Sequence, residues 1–327
     1  MTRLLDLVAQ RSGFLNRLGI GVGILFVGYY WLILTQTLGL PVDMRWYWEA
    51  DPSNLYPHPE LLQQNGYNYS PAFELVVGWG RLVPFEVFVA IWRAILCLAL
   101  LWLAGPAAAF VLFLVPVASE INAGNIQLLL AAAIVLAFRG GDDEARRDGR
   151  DARDGPFGRR RRRWWEGSWW PATSSFVLLT KVTPGVGLLW FALRRQWRAL
   201  GVAVGVTAVI AAVTFAIWPE RWFGWFALMT AGSPPPVPPF NLPFWPRFVA
   251  AVVIVVLAAW RGWRWPVVVA GCLALPAFYT ISPSMLVGVL PFARAATGRW
   301  AERRRDAANH RRAAAAGLAI PAPQSAG

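Results

Sequence analysis

The sequence predicts an all-α membrane protein that crosses the bilayer several times. Hydrophobic residues make up 57% of its 327 residues, and they include 20 Trp and 19 Phe. Uncharged apolar runs of about 15–20 residues recur along the chain, which is close to the length that a membrane-spanning helix requires. A soluble domain of this size could not bury so many apolar segments in one core. We therefore expect a bundle of about 8–10 transmembrane helices.

The first third of the chain predicts a retained first span and an aromatic outer loop. Arginines precede an apolar run at 14–38, so the N-terminus is expected in the cytoplasm. This run is too long for the apolar core of a signal peptide. Residues 39–70 are polar, aromatic and mainly acidic, and we expect them on the extracytoplasmic side. Further crossings are predicted at 71–82 and 85–103.

Two later stretches predict broken helices. Residues 106–138 must cross only once, and they divide into half-helices at 106–119 and 128–138 around the polar sequence "EINAGNIQ". Irregular backbone inside a membrane is tolerated where it lines a cavity or is buried in protein. Basic clusters flank 170–193 on both sides, so this segment is predicted as a re-entrant hairpin that turns at "KVTP". The crossings number eight beside this hairpin, and ten if the short pieces are tilted full spans.

The remaining elements complete one transmembrane domain over residues 1–298. Crossings are predicted at 200–218, 244–260, 266–281 and 283–297, with an extracytoplasmic loop at 219–243. Residues 139–168 form an Arg-rich, low-complexity cytoplasmic loop. The tail at 299–327 is basic and rich in Ala and Pro, and we expect it to be cytoplasmic and disordered.

The charge and the cysteines exclude several classes of function. The formal net charge is +13, but the arginines fall in short loops between apolar runs, where positive charge sets topology. Nucleic acid is therefore not an expected partner. Cys97 and Cys272 both lie inside predicted spans, so we expect neither a disulfide nor a cysteine metal site. The sequence predicts no metal and no cofactor.

Asp43 is the first candidate for chemistry. It stands at the outer edge of the first span in "PVDMRWYWEADP", next to Trp46, Tyr47 and Trp48. The aromatic residues alone are consistent with an interfacial belt. A carboxylate held beside them at the span edge is also well placed to act as a general base on a hydroxyl group.

Lys181 is the only lysine of the chain, and it interrupts the apolar run "SFVLLTKVTPGVGLLWF". An ionisable residue inside a span is costly and is therefore a functional hypothesis. Its ammonium could reach an interface, pair with an intramembrane carboxylate, or hold a phosphate as a point charge. The sequence favours pairing with a carboxylate and binding of a phosphate equally. Arg93, also in a span, is expected to pair with Glu74 or Glu120 in a structural role.

The order of these motifs resembles glycosyltransferase family 87, bacterial membrane enzymes of the GT-C superfamily. An acid after the first span is followed by an aromatic loop, a Tyr-x-Pro re-entry, a Gly/Asn/Gln break and a late Ser-Pro…Leu-Pro stretch. The stretch "LLTKVTPGVGLLWFALRRQWRAL" carries the most specific likeness, and the resemblance covers about residues 43–291. Three motifs depart from the family pattern. Tyr69-Ser70-Pro71 stands for Tyr-Pro-Pro, "GNIQ" exchanges the amides of Gly-Gln-x-Asn, and the late stretch lacks the usual Trp and His.

The resemblance implies transfer of a hexose from a polyprenyl-phosphate sugar to a lipid or glycan acceptor, and mannose is the hexose that it favours. Transfer would invert the anomeric carbon at a site on the outer side of the cytoplasmic membrane, among membrane lipids. Asp43 would be the general base. Tyr69, Asn125, Gln127 and Lys181 would line the donor and phosphate site. The possible supporting residues are Arg45, Trp46, Glu74, Arg93 and Glu120.

Two alternatives stay open on the sequence alone. The breaks at "EINAGNIQ" and "KVTP" would also serve a transporter or flippase of a lipid-linked or anionic substrate. No inverted repeat is apparent in the sequence, which argues against that alternative. A catalytically inactive family member that acts as a scaffold is the other.

Overall fold

A computed structural model of the protein describes five stretches of the chain. They are residues 2–37, 39–57, 66–139, 168–231 and 242–297. The predicted Arg-rich loop, except its end residues 139 and 168, and the predicted tail at 299–327 lie outside the described residues.

The described residues are helical and contain no strand. In chain order the helices are α1 (Thr2–Thr37), α2 (Val42–Glu49), α3 (Glu74–Val77), α4 (Phe85–Ala104), α5 (Ala108–Leu112), α6 (Val115–Ala123), α7 (Gln127–Ala137), α8 (Ser174–Thr180), α9 (Leu188–Leu193), α10 (Trp197–Ile217), α11 (Pro219–Thr230), α12 (Phe244–Arg261), α13 (Trp265–Leu273) and α14 (289–297). Short 3₁₀ segments join them at Pro71–Phe73, Gly78–Leu82, Gly105–Ala107, Trp170–Thr173, Thr183–Gly187 and Ser282–Gly288.

Four helical stretches of the described chain are long and apolar enough to cross a membrane. They are Gly13–Thr37, Phe85–Leu112, Trp197–Ile217 and Phe244–Arg261. A fifth crossing arises if α6 and α7, which meet at a bend of 105°, form one broken span. The protein is therefore an all-helical, polytopic membrane protein with broken helices, as predicted. The full count of eight to ten crossings stays a prediction.

The predicted half-helix at 106–119 is wrong. Ala108–Leu112 belongs to the candidate span Phe85–Leu112, and α6 begins only at Val115, so the bent pair is Val115–Ala123 with Gln127–Ala137.

Three further predicted segments differ from the structure. Residues 71–82 contain only α3 between two 3₁₀ segments, which is too short for a regular span. The predicted span at 266–281 stops being helical at Leu273, and an irregular segment follows before Ser282–Gly288. The predicted loop at 219–243 begins with α11, because Pro219 favours the first turn of a helix and one face of α11 is buried.

The helices pack around α7 and α13. Both are largely buried, and α7 contacts α4, α8 and the segment Ser282–Gly288. Helix α1 lies on the outside against α4 and α5, where Gly19 and Gly23 allow the close approach that small residues provide between membrane helices. Large apolar side chains of α1 and α10 stay exposed on the outer surface, as expected of helices that face lipid.

Candidate functional site

Helix α2 carries Asp43, and its buried face fixes the orientation of the helix. Met44 and Tyr47 are almost fully buried. The Tyr47 ring packs edge-on against Tyr69 and Trp92, with centroid distances of 5.6 Å and 5.7 Å. Tyr47 therefore belongs to the protein core and not to an interfacial belt. Asp43, in the first turn of α2, is partly buried and lines a cavity.

Arg93 ties the end of α1 to α6 and so helps to position Asp43 from outside the cavity. Its Nη1 donates to the carbonyl of Leu34 at 2.8 Å, and its Nη2 donates to the carbonyl of Asn122 at 2.8 Å. The Asn122 amide oxygen accepts the N–H of Leu40, just before α2, at 2.9 Å. These bonds join the start of α2 to the two helices that bracket the site.

The predicted carboxylate partners of Arg93 are engaged elsewhere. Glu74 forms an ion pair with Arg81, and its carboxylate is buried. Glu120 is fully buried, and its Oε1 accepts the main-chain N–H of Leu128 at 3.2 Å. Main-chain carbonyls at the ends of helices take the place of these acids, because such carbonyls lack partners within their own helix.

The break between α6 and α7 places an amide beside Asp43. Gly124 ends α6 in the left-handed region, with φ of 80°, and a Cβ there would lie 2.2 Å from Met44 Cγ. Asn125 follows, and its Nδ2 donates to Asp43 Oδ2 at 3.0 Å. Its Oδ1 accepts the main-chain N–H of Ile126 at 2.8 Å, which fixes the orientation of the amide.

Lys181 lies at the break that follows α8, as predicted for "KVTP". Its backbone is extended there, with φ of −138° and ψ of 100°. The ammonium donates to Gln127 Oε1 at 3.3 Å and to Asn125 Oδ1 at 3.5 Å, and it lies 5.7 Å from the centre of the Tyr69 ring. The two exchanged amides of "GNIQ" therefore both face Lys181. Within the described chain no carboxylate forms a direct ion pair with it.

The motif Tyr69-Ser70-Pro71 forms a hydrogen bond to the end of α8, close to Lys181. Ser70 Oγ donates to the carbonyl of Leu179, two residues before Lys181. Tyr69 shares a hydrogen bond of 3.0 Å with the hydroxyl of Tyr47. Ser70 thus joins the segment before Pro71 to α8.

Asp43, Tyr69, Asn125 and Lys181 line one cavity of about 390 Å³. This volume lies in the usual range of small-ligand sites. The other walls come from α2, from Gly66 and Asn68, from α11 and from the irregular segment after α13. The structure therefore brings the candidate base and the four predicted donor-site residues together, with Gln127 behind the wall and bonded to Lys181.

The predicted supporting residues divide between the cavity and its surroundings. Trp46 lines the cavity. Arg45 instead pairs with Glu49 on the exposed side of α2, at 3.5 Å. Glu120 lies behind the wall, and its Oε2 has no hydrogen-bond partner among the described residues. Glu74 and Arg93 are structural by their contacts.

Burial changes the acidity of Asp43 and Tyr69. It raises the pKa of Asp43 above 3.8, while the hydrogen bond from Asn125 and the charge of Lys181 act in the opposite direction. The pKa of Tyr69 is also raised by burial, and the nearby Asp43 adds to the shift, so its hydroxyl is neutral. A carboxyl with a raised pKa is a stronger base than an exposed aspartate.

Arg247 and the irregular segment after α13, to which it is hydrogen-bonded, were not predicted from the sequence. Arg247 lies in the first turn of α12 and is nearly buried. Its Nη1 donates to the carbonyls of Leu273 and Leu275 at 2.7 Å and 2.8 Å, and its Nη2 donates to that of Pro276 at 3.3 Å. Pro276 and Tyr279 line the cavity. A charged residue inside a predicted span was the available signal.

We expect Arg247→Gln to lower the melting temperature by about 5 °C, because several buried carbonyls would lose their donor at a cost of about 1–3 kcal/mol. Thermal unfolding in detergent measures this shift. Arg261→Gln, at the exposed far end of α12, is the matched control and should leave the melting temperature unchanged. Equal melting temperatures for the two variants would contradict this role of Arg247.

Comparison with known proteins identifies one family. The model of glycosyltransferase family 87 matches residues 67–322, which is more than half of the chain. The matched region contains Tyr69, Asn125, Gln127 and Lys181 and begins after Asp43. No curated protein and no solved structure matches the chain.

Proposed function

Because the chain belongs to glycosyltransferase family 87, we propose that it transfers a hexose, mannose first, from a polyprenyl-phosphate donor to a hydroxyl acceptor. Membership of the family makes the protein a membrane glycosyltransferase that has a sugar donor and an acceptor. The observation that carries the finer proposal is the link from Asp43 through Asn125 to Lys181 on one cavity wall. It pairs a base with a cationic group at the two ends of a sugar-phosphate site.

Asp43 is the general base. The carboxylate takes the proton of the acceptor hydroxyl as that oxygen forms a bond to the anomeric carbon. The bond between this carbon and the phosphate oxygen breaks on the opposite face, and polyprenyl phosphate leaves with the bonding electrons. The configuration is inverted because attack and departure occur on opposite faces. The raised pKa of Asp43 supports this role, since it favours proton uptake.

Lys181 binds the donor phosphate and stabilises the leaving group. Its ammonium is held only by the neutral oxygens of Asn125 and Gln127 and by the face of Tyr69, so its charge is not cancelled by direct contact with an acid in the described chain. A preorganised cation in a partly desolvated cavity is suited to the charge that develops on a departing phosphate. This contact pattern favours the phosphate hypothesis over the structural ion pair.

The cavity opens on the outer side of the cytoplasmic membrane, with both termini in the cytoplasm. The support is the positive-inside distribution of arginine and the acidic, aromatic character of residues 39–70, which supply Asp43 and Trp46 to the cavity. The 390 Å³ volume accommodates a hexosyl phosphate, while the polyprenyl chain remains in the lipid.

The purified protein, supplied with a panel of radiolabelled polyprenyl-phosphate sugars and a crude acceptor-lipid extract, should transfer label to the acceptor fraction. We expect mannose to give the highest rate, and product analysis should show an inverted anomeric linkage. Movement of intact donor across a vesicle membrane without transfer would instead support the flippase hypothesis. Absence of both transfer and movement with every donor would support the inactive scaffold.

A further inference from the structure

A second cavity adjoins the one that contains Asp43. Its volume is about 330 Å³, and it is lined by residues within 46–57 and 66–68 and by Leu228 of α11. Trp46, Gly66 and Asn68 line both cavities, so the two cavities adjoin at these residues. Trp46 therefore contacts the space on both sides, next to the cavity that contains Asp43.

Helix α2 runs from one cavity to the other. Asp43 lines the first cavity, Trp46 lines both, and Glu49 and Ala50 line the second. The rise from Asp43 to Ala50 is roughly 10 Å at 1.5 Å per residue. An elongated ligand lying along α2 would therefore place one unit at the base and its next unit in the second cavity.

The lining of the second cavity suits a sugar ring. Tyr56 and Tyr67 line this cavity as buried residues, and their hydroxyls donate to main-chain carbonyls, so they contribute aromatic ring surface to its wall. Asp51 and Asn54 are exposed at the rim. A hydrogen bond from the Ser53 hydroxyl lowers the pKa of Asp51, which keeps the carboxylate ionised. Aromatic faces contact the C–H surface of a sugar, while ionised carboxylates and amides bind its hydroxyls.

We propose that the second cavity is an acceptor subsite, which binds the sugar unit next to the one whose hydroxyl attacks the donor. The acceptor is then a glycan of at least two sugar units. The carboxylate of Asp51 and the amide of Asn54 supply hydrogen-bonding groups that a sugar unit uses and an aliphatic chain does not. This inference rests on the proposed function, because it assigns the attacking hydroxyl to the cavity that holds Asp43.

Acceptor length provides the test. Octyl mannoside and octyl mannobioside, with a short-chain polyprenyl-phosphate mannose as donor, differ only in the second sugar. In the double variant Asp51→Asn/Asn54→Ala the KM for octyl mannobioside should rise about tenfold. The KM values for octyl mannoside and for the donor should not change. Glu220→Gln is the matched control, because Glu220 is an exposed carboxylate that lines neither cavity.

A second measurement does not depend on transfer. Asn54→Cys introduces one exposed thiol, since Cys97 and Cys272 are buried, and its maleimide labelling can be followed in the full-length protein. Octyl mannobioside should slow the labelling and octyl mannoside should not. Equal effects of the two glycosides on labelling, or an unchanged mannobioside KM in the double variant, would overturn the subsite. Failure of transfer from every donor, with labelling still slowed by the disaccharide, would contradict only the proposed function.

Discussion

The Asp43→Asn variant is expected to lose sugar transfer by about a thousandfold while remaining folded in the membrane. An amide cannot take the proton of the acceptor hydroxyl. Its carbonyl oxygen can still accept the hydrogen bond that Asn125 Nδ2 gives to Asp43 at 3.0 Å. The change therefore removes the base with little effect on the geometry. Transfer rate at saturating donor, together with melting temperature in detergent, separates loss of chemistry from loss of structure.

A matched control is Glu86→Gln, which makes the same chemical change at an exposed carboxylate in the first turn of α4. This variant should keep full transfer. Full transfer by Asp43→Asn as well would reject Asp43 as the base. A melting temperature that falls together with activity would mean that the variant reports on folding, and Asp43→Glu, which keeps a carboxylate, should then restore part of the rate.

The pH dependence of transfer provides an independent test of Asp43 as the base. Burial raises the pKa of Asp43 above 3.8, so the basic form is lost at higher pH than for an exposed aspartate, and kcat/KM should fall as the pH falls through that raised value. The same shift acts on stability in the opposite direction. The stability that this carboxyl contributes is fully present below 3.8 and is lost as the pH rises through the raised pKa. Protonation of Asp43 as the pH falls therefore lowers activity without destabilising the folded protein.

Replacement of Lys181 should have the second largest effect. We expect Lys181→Gln to reduce transfer by about a hundredfold, because the departing phosphate loses the cation that faces it. The fold should survive, since removing a charge that has no direct ion pair also removes a desolvation cost. Steady-state kinetics with varied donor and a melting curve in detergent measure the two effects.

A short prenyl phosphate, used as an inhibitor, tests the contact itself. Its inhibition constant should rise at least about tenfold in Lys181→Gln and stay the same in Asp43→Asn. Arg294→Gln is the control for loss of a partly buried cation. Arg294 bonds the carbonyls of Trp102 and Leu103 and lines neither cavity. Equal inhibition of the wild type and Lys181→Gln would show that the phosphate binds elsewhere.

The long apolar helices could be predicted from the sequence, and the short elements could not. The predicted runs at 14–38, 85–103, 200–218 and 244–260 agree with the candidate spans to within a few residues, apart from the extension of the second to Leu112. Helices α2 and α11 have too few residues for their patterns to stand out. They depend on burial of Met44 and Tyr47, and of Trp222 and Trp225, by distant parts of the chain.

The candidate site shows the same division. Lys181 could be identified because a charge in an apolar run is costly, and its neighbours followed from the resemblance. Arg93 and Arg247 bond mainly to main-chain carbonyls at or just beyond the ends of helices. Every sequence contains such carbonyls, and no local sequence pattern shows which of them an arginine will bind. The second cavity depends on how residues 46–57 fold back on 66–68, and no local pattern encodes that arrangement.

The hold of Arg247 on the segment after α13 has a consequence for biosynthesis. A membrane protein is made from its N-terminus, so Asp43 enters the membrane long before Pro276 and Tyr279 are synthesised. The cavity wall that these late residues form is fixed only when α12 and α13 have met. A nascent chain therefore contains Asp43 well before the cavity around it is complete. The capacity to use a sugar donor arises only as insertion nears completion.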